Sequence, residues 1–428
     1  MRTICGGPVI LDARWLGRGG VGMTTELTLR ALRLLSSEGS LDRAFVLRGN
    51  PELLTPMLWP GATIDADLSD PHARGGQSGW RRSDGRLQVD FHQMRPLTAG
   101  RRLQWLHDTI PLHFARNAAV QRAKRAYLLR VVSTSSALLV DSQHTMRCVV
   151  EELGADPDRI RQITFPIDLD LAAAVATRRA VLPPADRLLF IGRFLPHKNV
   201  PRLLEAFRNT DFARSGGELH LVGGSADEVR CVEASLGRGS GRVTIEGSVP
   251  RARIIDLLAS SAGLIQPSLE EGFGLPVWEA RTVGLPVIAS TGGSLPELIT
   301  DPSHLFDPLD MDAMSDAIDT MMATSSHRPN EPPLEGPTLA EFGARFLEGL
   351  EATVKHVGLG STNPTQPLQQ PARSRSCHSR PDGSSPMISA TSLPQPCTKS
   401  SVKEVHTCHG NSRPADVQAV EQKAQLGD

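Results

Sequence analysis

The sequence predicts an α/β fold made of two successive Rossmann-like, doubly wound domains with a cleft between them. Over roughly the first 350 residues, short aliphatic or β-branched runs alternate with amphipathic helical stretches, which is typical of parallel sheets covered by helices. Pro183 and Pro184 separate two such series. Residues 358–428 contain no Phe, Trp or Tyr and are rich in Ser, Pro and Gln, a composition that cannot bury enough apolar surface to fold.

The first series begins with a strand, a glycine loop and a helix: PVILDAR (8–14), GRGGVG (17–22) and a helix from about Thr24. Further strands are expected at RAFVLR (43–48), LQVDF (87–91), LQWLH (103–107) and ALLVD (137–141). Ser142 is expected to cap the helix QHTMRCVVEELG, and Gly154 to end it. These elements define an N-terminal domain over 1–180.

The second series supplies strands RLLFIG (187–192), ELHLVG (218–223), VTIEG (243–247), GLIQP (263–267), PVIAS (286–290) and HLFDP (304–308). Helices are expected between them, for example over 199–212 and 251–261. We predict a C-terminal domain over 181–335, a helix over 336–356 that packs back toward the N-terminal domain, and a disordered tail over 357–428. Ligands of such folds bind beyond the carboxyl ends of the strands.

The composition argues against several classes of protein. No apolar run approaches the length of a transmembrane helix, and the N-terminus MRTICGGPVILDARW is too polar for a secretory signal. A net charge of −1 gives no case for nucleic-acid binding. The six cysteines show no pair at metal-binding spacing. We expect a cytoplasmic protein with no metal, no cofactor and no nucleic-acid partner.

The stretch LEEGFGLPVWEA (269–280) places two carboxylates, Glu271 and Glu279, around a glycine-containing turn before a predicted helix. Glycines let the backbone approach a ligand closely, and Pro276 suits a first helical turn. The helix start would offer backbone amides to an anion or a hydroxyl group. Each carboxylate could accept hydrogen bonds from vicinal hydroxyls, one sugar on each side of a diphosphate. The alternative is a helix start whose acids only complement the dipole.

A second candidate region is FIGRFLPHKN (190–199), a strand followed by a turn with Arg193 and Lys198. Only six of the 46 basic residues are Lys, so a Lys at this turn indicates a need for a compact point charge. Both cations could clamp a diphosphate. The alternative is two solvated basic residues in a loop.

In these motifs the chain resembles the retaining glycosyltransferases of the GT-B architecture, specifically glycosyltransferase family four. GRFLPHKN, LVGG, PSLEEGFGLPVWEA and GLPVIASTGGSLPEL are similar to that family's signatures in order and spacing. LDARWLGRGGVGMTTELTLRAL, LQWLHDTIPL and LLVDSQHT are similar to its bacterial mannosyltransferase branch. The resemblance covers roughly residues 8–355.

The resemblance implies a role for each matching residue. Glu279 would hold the ribose and Glu271 the transferred sugar near its 3-hydroxyl. Arg193 and Lys198 would bind the diphosphate. The other implied contacts are the backbone amides of Gly272, Phe273, Gly274 and Leu275, the packing of Gly19 and Gly20 against the diphosphate from across the cleft, His107 near the 6-hydroxyl, and Asp108, Ser142 and Thr145 on the acceptor side.

The resemblance further implies metal-independent transfer with retention of a hexose, with mannose favoured, from GDP-mannose to a glycan or lipid-linked acceptor. Two alternatives stay open: a nucleotide-sugar epimerase on the same fold, and a non-catalytic sugar-binding homologue. His107 could also be a partly buried structural histidine. Arg281 departs from the family, which has a small or aliphatic residue there, and could face solvent or reach the acceptor.

Basic residues are concentrated in one part of the N-terminal domain. Residues 70–130 contain twelve Arg and Lys but four Asp, a local charge of +8. One interpretation is a basic face that makes peripheral contact with an anionic membrane, at the inner face, or with a lipid-linked diphosphate acceptor. The other is an Arg-rich solvated surface.

Overall fold

The computed structural model of the chain describes residues 7–17, 19–66, 86–93, 101–236, 242–324 and 334–358. Within these residues the chain forms two parallel β-sheets, one in each half. The predicted tail lies outside the described residues except for positions 357 and 358, which end the last helix.

The N-terminal sheet has seven strands in the order β3-β2-β1-β4-β5-β6-β7, and every neighbouring pair is parallel. Its strands are β1 (Val9–Asp12), β2 (Phe45–Arg48), β3 (Ala62–Asp65), β4 (Gln88–Asp90), β5 (Arg102–Leu106), β6 (Ala137–Val140) and β7 (Ile160–Gln162). The helices of this half are α1 (Gly19–Ser37), α2 (Pro51–Leu54), α3 (Ile110–His113), α4 (Ala118–Thr134), α5 (Gln143–Leu153) and α6 (Leu169–Arg179).

The C-terminal sheet has six parallel strands in the order β10-β9-β8-β11-β12-β13. Its strands are β8 (Arg187–Ile191), β9 (Glu218–Val222), β10 (Arg242–Glu246), β11 (Gly263–Gln266), β12 (Val287–Ser290) and β13 (Leu305–Phe306). The helices are α7 (Val200–Arg208), α8 (Asp211–Arg214), α9 (Ala226–Ser235), α10 (Arg251–Ser260), α11 (Leu275–Thr282), α12 (Met311–Thr324) and α13 (Leu339–Gly358). Both strand orders change direction at the first strand, so the predicted doubly wound α/β class is confirmed.

Helix α13 returns to the N-terminal half and packs along α1. Phe342, Phe346 and Leu350 of α13 are buried there, and Phe346 stacks on Phe91 and Trp105. The last described helix therefore covers one face of the first sheet.

The caps of α5 are confirmed, whereas two other expectations, the start of α1 and a single helix over 199–212, were wrong. Ser142 Oγ accepts the amide of Thr145, and Gly154 ends α5 with a left-handed φ of 63°. Helix α1 begins at Gly19 and not near Thr24, so most of the predicted glycine loop is the first turn of a helix. Glycine is required inside that turn because a Cβ at Gly22 would lie 2.8 Å from the Trp15 carbonyl oxygen.

The predicted helix over 199–212 is two helices, because α7 ends at Arg208 and Thr210 caps α8. The sequence also gave no indication of β3 and β7, two short strands that mix polar and apolar residues. Among the described helices, none has the length and apolar character that a bilayer crossing needs.

Candidate active site

The loop after β11 holds Glu271 in a buried, strongly hydrogen-bonded position. One carboxylate oxygen, Oε1, accepts from Lys198 Nζ at 2.6 Å, from Ser268 Oγ at 2.7 Å and from Gln266 Nε2 at 2.8 Å. Within the described part of the chain, Oε2 has no hydrogen bond. The carboxylate is thus anchored through one oxygen and leaves the other for a ligand.

Glu271 is ionised in this setting. Burial alone would raise the pKa of its carboxyl group, but the charge of Lys198 and the hydrogen bonds from Lys198 and Ser268 outweigh burial and lower the pKa. The site therefore contains a fixed negative charge next to a fixed positive one.

Lys198 reaches Glu271 because a single 3-10 turn after β8, Pro196–Lys198, ends at Asn199 in a left-handed conformation with φ 60°. The Asn199 amide donates to the Pro267 carbonyl at 3.1 Å and to the Pro308 carbonyl at 2.8 Å. This buried side chain ties the turn to the end of β11, and the Lys198 side chain remains only 14% exposed.

Arg193 lies in a different environment from Lys198. Its side chain is 62% exposed and forms an ion pair with Glu228, which also accepts the Phe194 amide at 3.0 Å. Glu228 belongs to the capping box that starts α9. The two predicted diphosphate cations are therefore held by separate acids, and only Lys198 contacts Glu271.

Helix α11 begins as predicted, directly after the glycine turn. Gly274 is its N-cap with φ 93°, a conformation that favours glycine, and Pro276 lies in the first turn. On the same helix Glu279 accepts from Arg251 of α10 at 2.7 Å. Burial raises the pKa of Glu279, and the Arg251 charge opposes that rise.

Two glycines bring the halves of the molecule into contact at this loop. A Cβ on Gly272 would lie 2.0 Å from the carbonyl oxygen of His107, at the end of β5. A Cβ on Gly20 would lie 3.3 Å from a methyl group of Leu275. The first turn of α1, which starts at Gly19, therefore faces the start of α11, and the packing of these glycines against a diphosphate stays a prediction.

Ser142 and Thr145 lie at the same contact, but their hydroxyls do not face an open acceptor site. Both residues are buried, and their hydroxyls donate to the Gly272 carbonyl at 2.6 and 3.0 Å. Their placement on the acceptor side stays a prediction, because these hydrogen bonds show only that both side chains lie at the contact between the two halves. They bridge the two halves.

His107 has both ring nitrogens occupied. Nδ1 lies 2.7 Å from Asp141 Oδ2, and Nε2 lies 2.8 Å from the Phe91 carbonyl oxygen. Burial lowers the pKa of His107, but the Asp141 charge and these two hydrogen bonds raise it more, and the net pKa is above the usual value. A contact from this ring to a sugar hydroxyl requires release of one of these partners.

Asp108 faces the acids of the opposite half. Burial raises the pKa of its carboxyl group to about 6, His107 opposes the rise, and Glu270 and Glu271 add to it. Its Oδ1 accepts the Ile110 amide at 3.1 Å, so Asp108 also stabilises the following turn.

Arg281 does not face solvent. It is 5% exposed, and its guanidinium donates to the Leu298 carbonyl. The expectation that it faces solvent was wrong, because the buried arginine supports the segment after β12, whereas a contact with the acceptor stays a prediction.

Sequence reasoning missed several residues that complete the site. They are Asp141, Glu228, Arg251, Glu270, His113 and Glu297. His113 bridges the halves, with Nδ1 2.6 Å from Glu270 and Nε2 2.9 Å from Glu152. The hydrogen bond to Glu270 is the main cause that raises the pKa of His113 to about 9. Each partner is far away in sequence, so no local spacing signals these pairs.

Comparison with known proteins agrees with this architecture. Residues 181–330 match the family described as Glycosyl transferases group 1. The O-antigen chain mannosyltransferase B of Escherichia coli is 33% identical over 175 residues, which cover 36% of this chain and 46% of that protein. The D-inositol 3-phosphate glycosyltransferase of Mycobacterium tuberculosis (strain F11) is 30% identical over 203 residues, 45% of this chain and 42% of that protein. The chain spans about half the length of the curated relatives it matches.

Solved structures with the same arrangement cover most of the chain. Anabaena Alr3699/HepE in complex with UDP and glucose has a TM-score of 0.59 and 19% identity, over 81% of this chain and 99% of that one. WaaG, a glycosyltransferase involved in lipopolysaccharide biosynthesis, has a TM-score of 0.55 and 14% identity, over 82% and 95%. At these identities the likeness shows the fold, which is GT-B.

Proposed function

Because residues 181–330 match the glycosyl transferases group 1 family, we propose that this chain is a glycosyltransferase. It moves a hexose from a nucleoside diphosphate sugar to a glycan or lipid-linked acceptor. The single observation that carries the proposal is the state of Glu271: one oxygen is held by three donors, and the other has no hydrogen bond within the described residues. A buried carboxylate that is anchored through one oxygen can accept a hydrogen bond from a sugar hydroxyl with the other.

The proposed reaction breaks the bond between the anomeric carbon and the diphosphate and forms a bond to the acceptor hydroxyl oxygen on the same face. The acceptor proton goes to the leaving phosphate oxygen, so no side chain acts as the base. Lys198, Arg193 and the amides at the start of α11 stabilise the charge that develops on the leaving diphosphate. Glu279 holds the ribose through the oxygen that Arg251 does not contact.

Mannose is the proposed sugar and GDP-mannose the proposed donor. Support comes from the N-terminal motifs that resemble the mannosyltransferase branch and from the relative named as an O-antigen chain mannosyltransferase. The proposed reaction needs no metal, because fixed cations can take the role of a divalent ion at the diphosphate.

We also propose a cytoplasmic location with peripheral membrane contact through the N-terminal half. Of the twelve basic residues in 70–130, Arg74, Arg81, Arg82 and Arg95 lie outside the described residues, and Arg102 is buried in an ion pair with Asp90. Within the described residues of this region the exposed basic side chains are Arg116 and, on α4, Arg122, Arg125 and Arg130, and α4 carries no acidic residue. Salt-sensitive binding to anionic vesicles, reduced in a variant with Arg122, Arg125 and Arg130 changed to Gln, would support this contact.

The deciding experiment is a donor screen. Calorimetry with GDP and UDP, followed by hydrolysis of GDP-mannose and UDP-glucose, tests donor binding and turnover. The variant Glu271→Gln should lose about 10- to 150-fold in turnover, as expected for one charge-assisted hydrogen bond. Glu233→Gln, an exposed change on the same half, is the control. Absence of any nucleoside diphosphate binding would refute the proposal.

A further inference from the structure

The first turn of α5 makes two separate contacts with the C-terminal half. In the first, Ser142 and Thr145 donate to the carbonyl of Gly272, the residue directly after Glu271. Thr145 Oγ1 also lies 3.2 Å from the His107 carbonyl oxygen; Ser142 and Thr145 are buried, and His107 is half-buried. Two hydroxyls of one half thus hold the backbone beside the carboxylate of the other.

In the second contact, Glu297 caps α5 from the opposite half. Its carboxylate accepts the Gln143 amide at 2.9 Å and the His144 amide at 2.6 Å. Free amides at a helix start attract anions, and here a carboxylate of the same chain takes that place.

These two contacts converge on the same piece of backbone. The segment that carries Glu297 follows β12, and its Ser294 amide donates to the Glu271 carbonyl at 3.1 Å. A Cβ on Gly293 would lie 2.3 Å from that same carbonyl oxygen, so the segment presses directly on the Glu271 loop. Helix α5 therefore holds the loop and also the segment that supports it.

We propose that the first turn of α5 positions the loop that carries Glu271. The positioning residues are Thr145, in that turn, and Glu297, which caps the turn from the opposite half. They hold the Glu271 carboxylate and its neighbouring amides in register with the transferred sugar when the two halves are together. This inference rests on the proposed function, because it assigns the element's role to sugar transfer. Nucleoside diphosphate binding depends mainly on the charges of Lys198 and Arg193, which form no hydrogen bond with α5 within the described residues.

The test at Thr145 uses a matched pair of variants. Thr145→Val keeps the shape and removes the hydroxyl, and Thr145→Ser keeps the hydroxyl. We expect Thr145→Val to lower kcat for sugar transfer or donor hydrolysis about tenfold, with the Kd for GDP or UDP within about twofold of wild type. Thr145→Ser should recover most of kcat. Equal losses of kcat in both variants, or a loss confined to thermal stability, would overturn the assignment.

The test at Glu297 has a readout that does not depend on activity. In Glu297→Ala, hydrogen–deuterium exchange of the peptide over 142–146 should become about tenfold faster, because two capped amides lose a charged acceptor. The control is Glu151→Gln, an exposed change on α5 itself. Unchanged exchange in Glu297→Ala would show that the cap does not form in solution and would refute the proposal.

Failure of the proposed function gives a different pattern. In that case wild-type protein itself binds no nucleoside diphosphate and turns over no donor, whatever the exchange experiment shows. If wild type is active, kcat in Glu297→Ala should fall about as far as in Thr145→Val. An unchanged kcat in Glu297→Ala would refute the positioning role of Glu297.

Discussion

Replacing Lys198 by Met removes the cation from a buried ion pair and leaves its carboxylate behind. The two side chains are 14% and 7% exposed, and their charged atoms lie 2.6 Å apart. Breaking such a pair from one side costs about 3–5 kcal/mol, because the remaining charge stays buried. Two neutral donors, Ser268 and Gln266, still hold Glu271 Oε1, so we expect a loss near the lower end, about 3 kcal/mol in the free energy of unfolding at pH 7.

The dependence on pH has a definite sign. In wild type the pKa of Glu271 is lowered, so the stability from this pair is present above the carboxyl's unfolded pKa and is lost as the pH falls through the lower, folded value. In the Met variant burial is no longer offset by the cation, and the carboxyl group takes up a proton more readily. The difference between the two proteins should therefore shrink as the pH falls toward about 4.

Urea unfolding of wild type, Lys198→Met, Glu271→Gln and the double variant forms a cycle that isolates the pair. We expect the single changes to couple by about 2–3 kcal/mol, since the double variant buries no unpaired charge. Lys124→Met on α4 controls for the loss of one lysine. A coupling below about 0.5 kcal/mol would show that the pair contributes no net stability and would refute the reasoning.

Three further predictions concern the cleft between the halves. His113 has a folded pKa of about 9, so its contribution to the free energy of unfolding is fully present below the ordinary histidine pKa near 6.5 and is lost as the pH rises through 9. His113→Gln should abolish that loss in a profile of unfolding free energy measured from pH 6 to 10. Asp108 has a pKa of about 6, so wild-type stability should rise as the pH falls through 6, and Asp108→Asn should raise the melting temperature at pH 8 but not at pH 4.5. Gly272→Ala would place a Cβ 2.0 Å from the His107 carbonyl oxygen, so the loop that carries Glu271 must move. Donor hydrolysis should then fall at least about tenfold, whereas GDP or UDP binding, measured by calorimetry, should persist.

Local chemistry predicted most of the sheets and the caps of α5. The strands β1, β6, β11 and β12 are short and fully buried, and such runs stand out in a sequence. The strand β7, with the sequence IRQ, is one buried residue followed by two polar ones, and a run that short carries no readable period. Fold class was therefore predictable, and the shortest strands were not.

In the candidate site, too, the residues in local motifs were predictable and the contacts between distant residues were not. Glu271, Gly274 and Lys198 belong to local motifs, and their presence near one another follows from the strand-end rule of parallel sheets. Glu297 and its partner amides are more than 150 residues apart, and no spacing in the sequence predicts their contact. The burial of Arg281 likewise depends on a carbonyl at Leu298 that only the fold brings close.

Helix α13 has a consequence for the order in which the chain can fold. Its Phe342 and Phe346 are fully buried and pack against Trp105 of the first half, which is synthesised more than 200 residues before them. Until that helix leaves the ribosome, Trp105 and Phe91 lack their cover, so the nascent N-terminal half exposes an aromatic surface. Expression of residues 1–180 alone should accordingly yield an aggregating fragment, and supplying α13 as a separate peptide should restore its solubility.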